Sequence, residues 1–200
     1  YTTPDVAMID ALLTNTWRFA GFKINAQAKD IAALLVDENG AARTFDAFKA
    51  EANKVGVIYN QNWLRTEHQH AINSSQQAAK WVDIERNKEV LPLLQYDTAG
   101  DNRVRPSHQA LDNIIRPVTD AFWKSHYPPL DFGCRCTVRQ LAGGNPTPTD
   151  VLGKQVALAG QIRFTNIGLS KEVFPSDMPF FDVPKNEAKR IDKVVTKLKQ

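Results

Sequence analysis

The chain has 200 residues, of which 42% are apolar and 24% charged, a composition typical of a folded globular protein. Its longest apolar run, residues 31–36, is far shorter than the roughly 20 residues that a membrane-spanning helix needs, so we expect no membrane segment. Its two cysteines, Cys134 and Cys136, are too close for an ordinary disulfide, which argues against a secreted disulfide framework and favours a reducing compartment. No signal peptide or start methionine is present at Tyr1, and we expect Tyr1 to be a boundary within a longer chain.

The net charge of +3 is distributed unevenly along the chain. Residues 185–200 contain six basic and two acidic side chains, a net charge of +4, which leaves −1 for the rest. Any contact with nucleic acid is therefore expected at the C-terminus, through Lys189, Arg190, Lys193 and Lys197. A solvated helical face is the ordinary explanation of such a basic run, and both interpretations stay open.

The N-terminal part is predicted to be helical. Thr3 and Pro4 form a favourable helix start, which predicts a first helix from about Pro4 to Phe19. Asn25 is a candidate cap for a second helix, which we expect to end at the turn residues 37–40.

A longer helical pattern follows. Thr44 is a candidate cap, and apolar residues recur every three or four positions from Phe45 to Trp63. Gly56 is expected to bend or break this helix, and helix-forming residues extend the prediction to about Trp81.

Short strands are predicted after residue 90. Residues 91–96 are apolar with a proline near the start, which is typical of an edge strand. Ser107 is expected to cap a brief helix that runs through Ile115. Cys134 to Leu141 has the composition of a second strand.

The C-terminal third begins with a linker candidate, residues 143–146, which is rich in glycine and proline. We expect a helix at 150–159, a strand at 161–165 and a final helix from about Pro184 with an amphipathic pattern. The chain is thus predicted to be α+β: an N-terminal helical portion packs on a small β-sheet, and an amphipathic helix follows at the C-terminus.

The most informative block runs from Tyr96 to Cys136. It combines an aspartate-rich turn, the pattern Arg-x-Arg-x-x-His-x-x-Leu, a Pro-Pro loop and Cys-Arg-Cys. Its characteristic residues are Asp97, Asp101, Arg103, Arg105, His108, Leu111, Pro128, Pro129, Cys134, Arg135 and Cys136. Upstream, Arg65-Thr66-Glu67 adds a further short motif.

Together these motifs resemble the phage Mu F-like minor head protein family, also called the phage head morphogenesis domain. The resemblance covers roughly residues 60–142. It implies a Mu F-like domain at 1–142 and a C-terminal extension at 143–200 that is packed on or appended to it. Asp112-Asn113 stand where family members often have a glycine, so the exit of the short helix is expected to differ.

The chemistry of the block allows three interpretations. In the first, Cys134 and Cys136 lie on one side of an extended strand and join His108 around zinc, with His126 or Asp101 as a fourth ligand. Small buried apolar side chains are the ordinary explanation of such cysteines. Zinc is the only cofactor that these residues indicate.

The second interpretation, which we favour, is structural. Arg103, Arg105 and Arg135 form forked bonds with acids of the motifs and so connect turn, helix and strand. The candidate acids are Asp97, Asp101 and Glu67. We expect Arg105→Ala to lower stability by more than the loss of an exposed arginine would.

In the third interpretation, His108 acts as a general acid or base and Arg105 stabilises phosphate-like charge. The chain would then be a phage-derived toxin-like enzyme, a nuclease or a transferase. The favoured expectation is a non-enzymatic protein.

The resemblance implies a phage or prophage minor head protein that acts at the portal vertex in capsid assembly and in DNA packaging or delivery. The implied partners are portal and capsid proteins, together with non-specific DNA contact through the C-terminal helix and no membrane. The implied location is the virion head, and the host cytoplasm during assembly.

Overall fold

The computed structural model describes residues 5–198, without the side chains of residues 61 and 62. The helices are α1 (Val6–Ala33), α2 (Phe45–Val57), α3 (Trp63–Asn87), α4 (Pro106–Gln109), α5 (Phe122–His126), α6 (Thr149–Ala159), α7 (Ile167–Ser170) and α8 (Lys185–Leu198). The strands are β1 (Leu93–Asp97), β2 (Ile115–Pro117) and β3 (Thr137–Leu141). A π-helical turn, Ile58–Asn62, joins α2 to α3, and a 3₁₀ turn covers Pro179–Phe181. The predicted α+β class is confirmed.

The chain divides into two compact units, each built from separate stretches of sequence. The first unit comprises Tyr1–Leu12 and Gln69–Val173, and the second comprises Leu13–His68 and Phe174–Gln200. Helices α1 and α3 contribute residues to both units. The predicted boundary at residue 142 concerns the extent of the family domain and stays a prediction.

The sheet is the centre of the first unit. Its strand order is β2-β1-β3 and both pairings are antiparallel, with Tyr96 opposite Val138. The later turns of α3 contact the sheet, because the Gln140 side chain on β3 donates to the Ile84 carbonyl at 3.0 Å. Trp81, also on α3, makes an edge contact with the buried Tyr127 ring at 4.9 Å between centroids. Aromatic and aliphatic side chains thus fill this core.

The second unit packs α1 against α8 and the segment after Val173. The Phe19 and Phe174 rings are stacked with centroids 3.8 Å apart. The buried Asn15 side chain donates to the Phe174 carbonyl and accepts from its N–H. Helix α8 comes close to α1 at Gly21, where a Cβ would lie 2.9 Å from Cγ2 of Ile191.

Several predictions for the N-terminal part hold only in outline. The predicted start at Thr3 and Pro4 lies outside the described residues. The predicted break before Asn25 is wrong: α1 continues to Ala33, and the Asn25 side chain hydrogen-bonds Glu187 instead of capping a helix. Thr44 caps α2 as predicted. The predicted break at Gly56 is not observed. A π-helical turn follows α2 and continues the helical chain into α3.

Three predictions in the second half are wrong in detail. The strand predicted at 91–96 is observed as β1, but it is the central strand of the sheet and not an edge strand. Pro92 lies just before β1, so every residue of the strand has a backbone N–H that can pair. The helix expected from Ser107 to Ile115 stops at Gln109, and Ile115 begins β2. Residues 161–165 form no strand. The helices predicted at 150–159 and from Pro184 are observed as α6 and α8.

Among residues 5–198, no helix combines the length and the apolar character that crossing a bilayer requires.

Candidate functional site

The motif block brings together the turn after β1, helix α4 and the loop before β3. The Asp112 carboxylate closes the turn by accepting from both the N–H and the hydroxyl of Thr98, each at 2.8 Å. The extended Arg105 and the proline at position 106 start α4. Helix α4 then carries His108 towards the two cysteines that precede β3.

Two forked ion pairs connect the acidic turn to the β3 segment. Arg135 donates to both carboxylate oxygens of Asp101 at 2.6 and 2.8 Å, and Arg139 binds both oxygens of Asp97 at 3.1 Å. The hydrogen bond from Arg135 lowers the pKa of Asp101 to about 2. Both pairs are solvent-accessible, so they order the turn more than they stabilise the fold.

Beneath these pairs lies a buried group of three potential metal ligands, His108, Cys134 and Cys136. Their exposed fractions are 4%, 3% and 6%. The ligand atoms all lie within 4.8 Å of one another, and Cys136 Sγ is 3.9 Å from His108 Nδ1. The structure therefore brings together the three residues of the first interpretation.

The two thiols lie side by side, and their interaction shifts their pKa values in opposite directions. The neighbouring Cys136 thiol lowers the pKa of Cys134, and the nearby His108 imidazole acts in the same direction. The Cys134 thiol, together with burial, raises the pKa of Cys136. Cys134 is thus the favoured thiolate of the pair.

The remaining sequence-predicted residues lie elsewhere. Arg105 is exposed and donates to the Phe132 carbonyl at 2.6 Å, so the expected pairing with an acid is wrong. Without that pair, there is no longer a reason to expect a large loss of stability in Arg105→Ala. Glu67 pairs with Lys23, and Arg65 is exposed on α3. Arg103 has a long contact of 3.9 Å with Asp101. The Pro-Pro loop, Pro128 and Pro129, is buried.

A cavity of about 120 Å³ lies beside the potential ligands. Its lining includes His108, Cys134, Cys136, Arg103, Arg105 and Arg135. The two fourth ligands considered from the sequence are engaged elsewhere: Asp101 binds Arg135, and His126 hydrogen-bonds Ser125 and stacks on Phe122. Within residues 5–198, no further histidine, cysteine or acid completes the group.

The sequence reasoning missed residues that support the site. Arg139 was not considered, although the antiparallel register places it diagonally across from Asp97. Tyr96 opens the block, but its buried hydroxyl at the Cys136 thiol depends on tertiary packing. Asn73 on α3 donates to the Cys134 carbonyl at 3.0 Å, a contact between residues 61 positions apart that no local motif signals.

The second candidate site is the basic face of α8. Lys189, Arg190, Lys193 and Lys197 are exposed. The acids of the same helix are paired with bases of α1: Glu187 with Lys29 and Asp192 with Arg18, both at 2.6 Å. The positive charges of α8 therefore face solvent while its acids are occupied.

A comparison with known protein families shows to which family the chain belongs. The sequence profile described as "Phage Mu protein F like protein" matches residues 24–139, more than half of the chain. The chain belongs to this family. The Mu F-like match contains the whole block from Tyr96 to Cys136, together with Arg65 and Glu67, and confirms the predicted resemblance.

Two curated relatives share the Mu F-like region. The chain is 31% identical over 109 residues to the putative capsid assembly protein F of Escherichia phage Mu, covering 54% of the chain and 22% of that protein. It is 38% identical over 65 residues to the Mu-like prophage FluMu F protein of Haemophilus influenzae, covering 32% of the chain and 16% of that protein. The matched region thus spans less than a quarter of either relative. No solved structure matches the chain.

Proposed function

We propose that this chain is the assembly domain of a phage or prophage minor head protein that acts at the portal vertex. The observation that carries the proposal is the 31% identity over 109 residues with a protein named for capsid assembly. The proposed location is the virion head, and the host cytoplasm while heads are built. The proposed partners are portal and capsid proteins.

The geometry of the motif block favours this role over the enzyme alternative. Arg135 and Arg139 are already occupied by Asp101 and Asp97, as expected for side chains that hold a turn in place. His108 is 4% exposed, and the Cys136 thiol lies at its Nδ1. A general acid or base must reach its substrate, and a histidine in this position is poorly placed to do so.

A partner surface is available on α1 within the second unit. Leu13, Trp17 and Ile24 are spaced by four and seven residues, which places them on one helical face. Their exposed fractions are 53%, 40% and 65%. Large apolar side chains, tryptophan above all, are enriched where protein partners bind. We propose this face as the contact through which the chain joins the other head proteins.

The test is co-expression of the full-length protein that contains this chain with the cognate portal and major capsid proteins. Head particles are separated by sedimentation and their protein content is measured. We expect the protein to sediment with portal-containing heads and Trp17→Ser to lower its incorporation. Phe45→Ser is the matched control, because Phe45 is an exposed aromatic residue of α2 outside this face. Absence of the protein from heads would refute the portal-vertex role, and equal incorporation of both variants would refute the α1 face.

For DNA packaging or delivery, we propose non-specific DNA contact through the basic face of α8. The support is the exposure of its lysines and arginine and the pairing of its acids. The double variant Lys189→Glu and Lys193→Glu should weaken binding to duplex DNA and flatten its salt dependence, because each lost phosphate contact changes the log–log slope by roughly 0.9. The control is the double variant Lys49→Glu and Lys124→Glu, which changes the net charge by the same amount at two exposed lysines outside α8. Equal weakening by the two double variants would refute a specific role for α8.

A further inference from the structure

The geometry around the two cysteines points to a metal site, and we propose that His108, Cys134 and Cys136 bind one zinc ion. A tetrahedral zinc ion with bonds of about 2.3 Å to sulfur and 2.0–2.1 Å to nitrogen holds such ligand atoms roughly 3.6–3.8 Å apart. The observed Sγ–Nδ1 distance is 3.9 Å, and no pair of ligand atoms exceeds 4.8 Å. Zinc coordination therefore requires the ligand atoms to close by about 1 Å at most.

A buried hydroxyl without a partner lies beside the two cysteines. The Tyr96 side chain is fully buried, and in the described part of the chain its hydroxyl has no hydrogen-bond partner. Its nearest titratable neighbours include the Cys136 and Cys134 thiols. A metal-bound thiolate is a strong acceptor, so metal binding would give this orphaned donor a partner.

The three ligands leave one tetrahedral position, and the cavity beside them defines what fills it. Two thiolates and a neutral histidine cancel the charge of Zn²⁺, and the cavity of about 120 Å³ is lined by Arg103, Arg105 and Arg135. The cavity has room for a water molecule, and Arg105, which binds a carbonyl rather than an acid, adds positive charge to its lining. We assign a water or hydroxide ion to this position. This inference is independent of the proposed role in head assembly.

The first experiment measures metal content of the untagged full chain purified without chelators, followed by exchange with Co²⁺. We expect about one equivalent of zinc, as in structural and catalytic zinc sites. Cobalt should give near-ultraviolet thiolate-to-metal absorption and the visible bands of a tetrahedral ion. Absence of both signals with the thiols reduced would overturn the proposal.

Variants distinguish the site from adventitious binding and from misfolding. Cys134→Ser should abolish the thiolate–cobalt absorption, whereas His68→Asn, at an exposed histidine of α3, should leave it unchanged. Tyr96→Phe keeps all three ligands and the ring, and should weaken metal affinity by about 10- to 100-fold through the lost donor. Circular dichroism reports whether each variant is folded. Metal retained at full stoichiometry in the folded Cys134→Ser, Cys136→Ser double variant would identify an adventitious ion only and overturn the site.

Discussion

Replacing Lys23 with methionine should destabilise the protein strongly, because it leaves a carboxylate of the family motif without its partner. The Lys23 ammonium donates to Glu67 at 2.6 Å and to the Tyr59 carbonyl at 2.8 Å. The Lys23 and Glu67 side chains are only 10% and 12% exposed. Methionine preserves the length and apolar character of the lysine stem but none of its donors.

The magnitude follows from burial. At 2.6 Å and an effective dielectric constant of about 20, the gross attraction is about 6 kcal/mol, and most of it offsets desolvation of the two charges. Removing one partner of a buried pair typically costs about 3–5 kcal/mol, because the other charge stays buried. Adding Glu67→Gln removes that charge, so the double variant should recover about 1–3 kcal/mol relative to Lys23→Met alone.

Urea unfolding followed by circular dichroism measures these differences, provided that the denaturant slope is unchanged. Lys54→Met is the matched control, because Lys54 and Glu51 are also 2.6 Å apart but their side chains are 68% and 37% exposed. The control should shift the midpoint little. A shift in Lys23→Met no larger than in the control would refute the reasoning that burial determines the cost.

Two further predictions concern packing and titration. Gly168→Ala should destabilise the first unit by about 3 kcal/mol, the upper end of the usual cost of overpacking, because the new Cβ would lie 2.2 Å from Cγ of the buried Trp81. Gly153→Ala in α6 meets no atom within 4 Å and should instead stabilise by about 0.5–1 kcal/mol, so thermal unfolding of the two variants should move in opposite directions. Burial raises the pKa of each described tyrosine, and that of Tyr59, which also donates to Asp30, rises to about 12. The described tyrosines are Tyr59, Tyr96 and Tyr127. Because folding favours the neutral phenol, this contribution to stability is complete below about pH 10 and is lost as the pH rises through 12. Ultraviolet absorbance of the folded protein should therefore show at most one of the four tyrosines ionising near pH 10, and two or more would contradict the assigned burial.

The sequence predicted elements well where a local signal was sufficient. Thr44 caps α2, and the apolar repeat after Pro184 forms α8. It failed where tertiary contacts override a local preference. Asn25 resembles a helix cap, but in the structure its side chain bonds Glu187 from a distant part of the chain.

The candidate site shows the same division. The sequence predicted that Cys134 and Cys136 lie on one side of a strand and join His108. The structure groups the three residues, but both cysteines precede β3 instead of lying on it. The pairing of charges was predicted less well, since Arg135 binds Asp101 but Arg105 binds a carbonyl and Glu67 binds Lys23. Short motifs report which residue types are required, whereas the register of β1 and β3 decides which arginine meets which acid.

The central proposal is that this Mu F-like chain acts in head assembly. The most direct measurement is an in-frame deletion of residues 24–139, the family-matched region, in the phage or prophage that encodes the protein, with particles examined by electron microscopy. The account predicts loss of normal DNA-filled heads and their restoration when the full-length protein is supplied in trans. Normal heads in normal numbers from the deletion strain would contradict it.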